Sequence, residues 1–178
     1  MEKNPRSLPT RQLVTMGILI AAGVVLSFIE FPLLPAAPYL KYDPSGIAAL
    51  IATLVFGPLS GSVVGAAIAL IHGSSSGPIG VVMNALAFVS TALVTGLIYR
   101  AHKTKRGAVA ALAGGGLAGT VASIAANFIA LPLYAGMSTQ AVAALVLPVL
   151  LPFNLIKVTL NAAIVFVIYK RLRTIIRR

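Results

Sequence analysis

Long apolar blocks, parted by short polar or glycine- and proline-rich stretches, run the length of the chain. The first covers 13–31, and a Pro-rich segment, 32–46, follows it. A second apolar region, 47–71, is interrupted by Phe56-Gly57-Pro58, and 72–78 reads as a Ser/Gly turn. Further blocks cover 79–99 and 107–131, with the basic loop 100–106 between them. Residues 132–140 read as loop. The last block, 141–168, is punctuated by Pro148 and Pro152 before a basic tail. No block alternates with period two, so the pattern predicts helices and not a barrel of strands. Blocks of about 20 apolar residues are long enough to cross a bilayer as helices.

Whether 47–71 crosses once or twice is decided by charge. Basic residues cluster at the N-terminus, in 100–106 and at the C-terminus. Five spans cannot put all three clusters on one side. A hairpin turning at Gly57-Pro58 gives six spans and places twelve of the fourteen bases inside, leaving only Lys41 and Lys157 elsewhere. The expectation is an all-α integral membrane protein, a bundle of six transmembrane helices with both termini cytoplasmic. Its spans are 13–31, 45–56, 58–72, 79–99, 107–131 and 142–169, the last kinked near Pro148 and Pro152, with 32–46 as an outer loop. Two of these helices are short, and must tilt, thin the bilayer or shelter among neighbours. Pro58 suits the first turn of a helix, where its missing N–H costs nothing.

Composition agrees. The chain has 178 residues, 58% of them hydrophobic and 10% charged, with a mean hydropathy of +0.98. That is too little charge to cover a water-facing surface, where about 25% is usual. The net charge of +11 is confined to the flanks of apolar runs, so it reads as cytoplasmic loop charge and not as a nucleic-acid footprint. With no cysteine, two histidines and three acids, no disulfide framework or metal centre is expected. No phosphate-binding glycine loop and no catalytic triad is evident, so the chain is not read as an enzyme.

Small residues recur every four positions: Gly57, Gly61, Gly65 and Ala69, then Gly107, Ala111, Gly115, Gly119 and Ser123. Such stripes let helix backbones approach closely in lipid. They serve either packing inside the bundle or docking to another membrane protein; a shorter version is Gly17 with Ala21.

Polar residues inside a span are costly and mark function by default. With six spans, the strong candidates gather in the outer third: Glu30, Lys41 and Asp43, then Asn84, Asn127, Asn154 and Lys157. Asn154 and Lys157 are three apart and share a helix face, which Asn161 continues. The inner half holds little beyond Ser90, Thr91, Thr95 and Thr159. This is a cup open to the outside and not a relay of acids through the membrane. Leu40 and the aromatic residues Tyr39, Tyr42, Phe128, Tyr134 and Phe153 are placed to wall a flat ligand.

Three stretches carry a resemblance: IEFPLLPAAPYLKYDPSGIAALIATLVFGPLSG at 29–61, ANFIALPLYAG at 126–136 and LPFNLIKVTLNAAIVFVIYKRL at 151–172. The chain resembles, over nearly all of 11–172, the riboflavin-specific substrate-binding S components of energy-coupling factor (ECF) vitamin transporters. The resemblance implies a six-helix bundle in a prokaryotic cell membrane that binds riboflavin from outside, with no catalytic cofactor. It implies docking to a module of one transmembrane coupling protein and two ATPases, with Gly17 and Ala21 at the docking contact. It implies that the loop after the first helix covers the vitamin, and that Lys41, Asp43, Asn127, Asn154 and Lys157 meet it. An S component for another vitamin or for FMN, and a stand-alone channel or structural subunit, are the competing readings.

Overall fold

Gly57 shows how the chain turns. Helix α2 (Gly46–Phe56) ends there, and α3 (Pro58–Ala101) begins one residue later with Pro58 in its first turn. The glycine has φ 106°, ψ 177°, a conformation that side chains with a Cβ rarely adopt. Its N–H still closes α2 by donating to the Thr53 carbonyl at 2.9 Å. The two helices then pack antiparallel. A Cβ on Gly61 would overlap Thr53, and one on Gly65 would touch the Ala49 methyl at 3.4 Å. Gly57 lies midway in sequence between the members of both pairs.

The computed structural model describes residues 9–35, 37–38 and 40–176. Helix α1 (Thr10–Ser27) leads into two-residue strands, β1 (Phe31–Pro32) and β2 (Lys41–Tyr42), paired antiparallel with Phe31 opposite Tyr42. After α2 and α3 come α4 (Lys105–Ala135), α5 (Thr139–Leu145), a π-helical turn (Val146–Leu150) and α6 (Leu151–Ile176). Four segments are long and apolar enough to cross a membrane, Thr10–Ser27, Gly77–Ala101, Lys105–Ala135 and Thr139–Tyr169; Gly46–Phe56 and Pro58–His72 are shorter apolar helices.

The expected Ser/Gly turn at 72–78 contracts to one residue. The backbone stays helical to Gly77, which alone breaks α3 with φ 74°, ψ 169°. A Cβ on Gly65 would meet Phe88 Cβ at 2.7 Å, and one on Gly96 would meet Pro58 Cα at 2.6 Å, so the two arms of α3 fold back on each other about Gly77. Residues 132–140 are likewise not all loop. Pro132 sits in the last turn of α4, and the helix ends at Gly136 (φ 64°), whose N–H donates to the Pro132 carbonyl at 3.1 Å. The last block starts three residues earlier than the expected 142, because the Ser138 hydroxyl caps α5 by accepting from the Ala141 N–H at 3.2 Å. Pro148 falls inside the π turn, whose wider loop accommodates a residue with no N–H to give.

The glycine stripes pack inside the bundle. On α4, a Cβ at Gly115 would overlap Thr95 and one at Gly119 would overlap Thr91; Lys105, the first residue of α4, is midway in sequence between both pairs. Helix α2 resolves the problem of short spans by shelter: eight of its eleven residues are buried. Ile47, Leu50 and Leu54 join Tyr99, Leu112 and Val165 in one apolar cluster. Gln12, near the start of α1, donates to Ser60 at 3.0 Å. The start of α1, the Gly57 turn, the end of α3 at Arg100 and Tyr169 of α6 therefore share one end of the bundle. The β1–β2 loop closes the other.

Close contact at Gly115 yields a test. Gly115→Ala should lower stability by about 1–3 kcal/mol through overpacking. Gly17→Ala, which meets nothing within 4 Å, should leave it unchanged or raise it by about 1 kcal/mol. Unfolding midpoints in one detergent decide.

Candidate functional site

The loop end of the bundle encloses a cavity of about 260 Å3. Each wall is one helix face. Asn84, Phe88 and Thr91, spaced i, i+4, i+7, come from the second arm of α3; Gly116, Gly119, Ser123 and Asn127 come from α4; Phe153, Asn154, Lys157 and Asn161 come from α6. Gly46 and Ala49 of α2 close one side, and Leu40 and Lys41 of the loop lie across the mouth.

The loop is tied to α6 at two points. Asp43 accepts from the Lys157 ammonium at 3.1 Å, the side chains being only 10% and 17% exposed. Tyr42 donates its hydroxyl to Asn161 Oδ1 at 2.9 Å. Lys157 and Asn161 are four residues apart, so one face of α6 receives both. Asp43 Oδ1 also accepts from the Ser45 N–H at 3.1 Å and from the Ser45 hydroxyl. Ser45, the residue before α2, makes no side-chain bond into that helix. Lys157 lies 6.0 Å from the centre of the Phe88 ring as well, within reach of a cation–π attraction. Its charge thus turns inward and does not snorkel.

Burial, the largest influence on Asp43, raises its pKa. The Lys157 charge and the hydrogen bonds from Ser45 and Lys157 together outweigh it, leaving the carboxyl below its ordinary value. Burial and the neighbouring Asp43 charge push the Tyr42 hydroxyl up, so it stays a proton donor to Asn161.

Asn127 and Asn154 are buried, and each spends one amide N–H on the carbonyl four residues back, Ser123 and Leu150, at 2.8 Å. Each keeps its side-chain oxygen and a second N–H for a ligand. Asn84 lines the same space with its amide unengaged by the described residues.

Not every expected residue reaches the cavity. Glu30 stands outside, paired with Lys41 at 3.3 Å, so the two loop charges Lys41 and Asp43 serve different partners. Phe128 follows a cavity residue and therefore points elsewhere, packing with Leu131, Val142 and Leu150. Tyr134 is 68% exposed near the end of α4, outside the lining. Tyr39 lies outside the described residues. Gly17 and Ala21 are both exposed on α1. Conversely, Met83, Phe88 and Ser123 line the cavity beyond the residues the sequence points to, and Asn161, expected only to continue the α6 face, lines it too. Their signal was present: Phe88 is four residues from Asn84, and Ser123 four from Asn127.

A helical bundle that buries a largely apolar cavity with a few converging amides and an ammonium, beneath an anchored loop, has the build of a membrane substrate-binding protein. The chain belongs to the family of ECF transporter substrate-specific components, whose family model matches residues 11–169. It is 31% identical over 176 residues to riboflavin transporter RibU of Staphylococcus aureus, covering 94% of this chain and 93% of that one. It is 30% identical over 175 residues to riboflavin transporter FmnP of Bacillus subtilis, covering 90% and 92%. A solved S component of a bacterial ECF transporter superposes with a TM-score of 0.80 at 30% identity, covering 94% of this chain and 98% of the other. The chain is thus a transporter component of the membrane and not an enzyme.

The Asp43 pKa gives a pH test. A carboxyl whose folded pKa lies below its ordinary 3.8 contributes stability that is complete above that value and is lost as pH falls through the folded one. Hydrogen exchange of the amides of residues 40–45, corrected for intrinsic rate, should show steady protection from pH 7 to pH 5 and a loss below about 3.8. In Asp43→Asn that acid step should disappear.

Proposed function

We propose that this chain captures riboflavin at the outer face of a prokaryotic cell membrane as the binding subunit of an ECF importer. The observation that carries this reading is the convergence of Asn84, Asn127, Asn154 and Lys157 on one cavity under the loop. A flavin's pyrimidine edge alternates acceptors with a donor. Three amides and an ammonium match that alternation, and the ligand needs no charge because Asp43 already balances Lys157. Phe88, Phe153 and Leu40 supply apolar surface for the ring faces; Lys41, at the mouth, would leave Glu30 to meet the ribityl hydroxyls, and Asp43, outside the lining, acts through Lys157. The relatives named riboflavin transporters support the same ligand.

In this reading the two short helices and four long ones make six spans, with the basic end of the bundle in the cytoplasm and the loop outside. Riboflavin enters past the loop, which then holds it through the Asp43–Lys157 and Tyr42–Asn161 contacts. Transport is driven from elsewhere, by a module of one coupling protein and two ATPases. Gly17 and Ala21, exposed and without bulk, offer that module a flat face of α1.

Protein purified from a riboflavin-containing host should be yellow, with quenched flavin fluorescence. Asn127→Ala and Lys157→Ala should each weaken riboflavin binding by at least about 1 kcal/mol, roughly fivefold. Equal affinity in both, measured by quenching, would remove these residues from the site. Replacing Gly17 and Ala21 by leucine should leave quenching unchanged and lower ATP-driven uptake by the assembled transporter.

A further inference from the structure

A second cavity, of about 640 Å3, lies at the end of the bundle away from the loop, where the Gly57 turn meets the end of α3. Its rim carries Arg100 and Lys103, and Tyr99 and Tyr169 line it with their hydroxyls in contact. No acid lines it. The two acids among the described residues, Glu30 and Asp43, are paired with Lys41 and Lys157 at the opposite end. Arg100 and Lys103 have no ion pair among the described residues. Two cations at one opening that no acid lines suit a phosphate.

The remaining wall says which kind of phosphate. Phe56 and Leu59 line the same cavity. Leu59, 74% exposed, begins an apolar row with Val63 (56%) and Leu70 (65%). At i, i+4 and i+11 these fall on one helix face, running from the cavity toward the middle of the membrane. A free anion has no use for such a row, whereas a phospholipid matches charge and row together. The cavity also has a cause. Helix α2 has eleven residues, about 16 Å of helix against a hydrocarbon core of about 30 Å. Its end at Gly57 therefore stops short of the bundle's face, and a gap remains between longer neighbours. Basic pockets of this kind on the cytoplasmic side of a membrane take anionic headgroups.

We propose that this cavity is a binding site for one anionic phospholipid, its phosphate held between Arg100 and Lys103 and an acyl chain laid along Leu59, Val63 and Leu70. The lipid fills the space under the short α2–α3 hairpin. The inference rests on the membrane orientation proposed above, but not on the identity of the ligand in the outer cavity.

Native mass spectrometry of the detergent-solubilised protein with added phosphatidylglycerol or phosphatidylcholine tests it. The unsubstituted protein should retain phosphatidylglycerol at least about fivefold better than phosphatidylcholine. The double variant Arg100→Gln, Lys103→Gln should lose that preference. Lys105→Gln with Arg106→Gln, which removes the same charge from residues outside the cavity, should keep it. No preference in the unsubstituted protein, or equal loss in both double variants, would overturn the site. Displacement of phosphatidylglycerol by millimolar inorganic phosphate would overturn the lipid in favour of a small anion; the expected result is an unchanged count. Riboflavin quenching by the same variants, expected to be unaltered, reports separately on the outer cavity and on folding.

Discussion

The arrangement at the loop end depends on a half-hidden ion pair, Asp43 with Lys157. An ammonium on a membrane helix has two stable options: to reach water along its stem, or to meet an anion inside. Here the anion comes from the loop, and both side chains are mostly buried. Such a pair adds little net stability over an apolar substitute, because desolvation consumes most of its attraction. What it does provide is selectivity among conformations, since either partner alone would leave a buried charge. The pair therefore favours this one position of the loop over others. Tyr42 then meets Asn161, Phe31 packs edge-on to Tyr42 at 5.4 Å, and Lys41 turns outward to Glu30.

A second constraint is the shortness of α2. A helix of eleven residues survives in lipid only if protein surrounds it, and α2 is surrounded. The consequence is a division of labour. α2 offers the cavity close backbone approach in place of polar side chains. At Gly46 an added Cβ would lie 3.0 Å from Asn161 Nδ2 and 3.2 Å from the Phe88 ring. The missing side chain is what lets those two residues stand side by side. Hydrogen-bonding groups come instead from α3, α4, α6 and the loop.

Much of this was legible in the sequence, and the misses have physical causes. The turn at Gly57-Pro58 could be read because positive φ and a fixed first-turn φ are local demands that only these residues satisfy cheaply. The grouping of Asn127, Asn154 and Lys157 followed from depth, which apolar run lengths supply. Azimuth was harder. Phe128 has the right depth and chemistry, but a helix turns about 100° per residue, and Asn127 already claims the face toward the cavity; Tyr134, seven residues on, shares that face but lies about 10 Å further along α4, past the cavity. Phe88 carries no contrast with the apolar block around it, and only its spacing four residues from Asn84 points to the cavity. The helical course through 72–76 was masked by serine and glycine, which signal turns in water and are tolerated in membrane helices.

Depth also decides what the cavity can do. Below Asn127 and Asn154 its lining passes to Thr91, Gly116, Val158, Ala162 and Leu112. The Thr91 hydroxyl is already committed to the Ala87 carbonyl at 2.7 Å. A polar ligand moving inward would exchange four hydrogen-bonding side chains for methyl groups and backbone, at a cost of several kcal/mol for its unmet donors and acceptors. The gradient therefore holds a ligand near the loop end and opposes passage through the bundle. In the reading proposed above, a chain built this way captures, and the work of carrying its ligand across falls to its partner proteins.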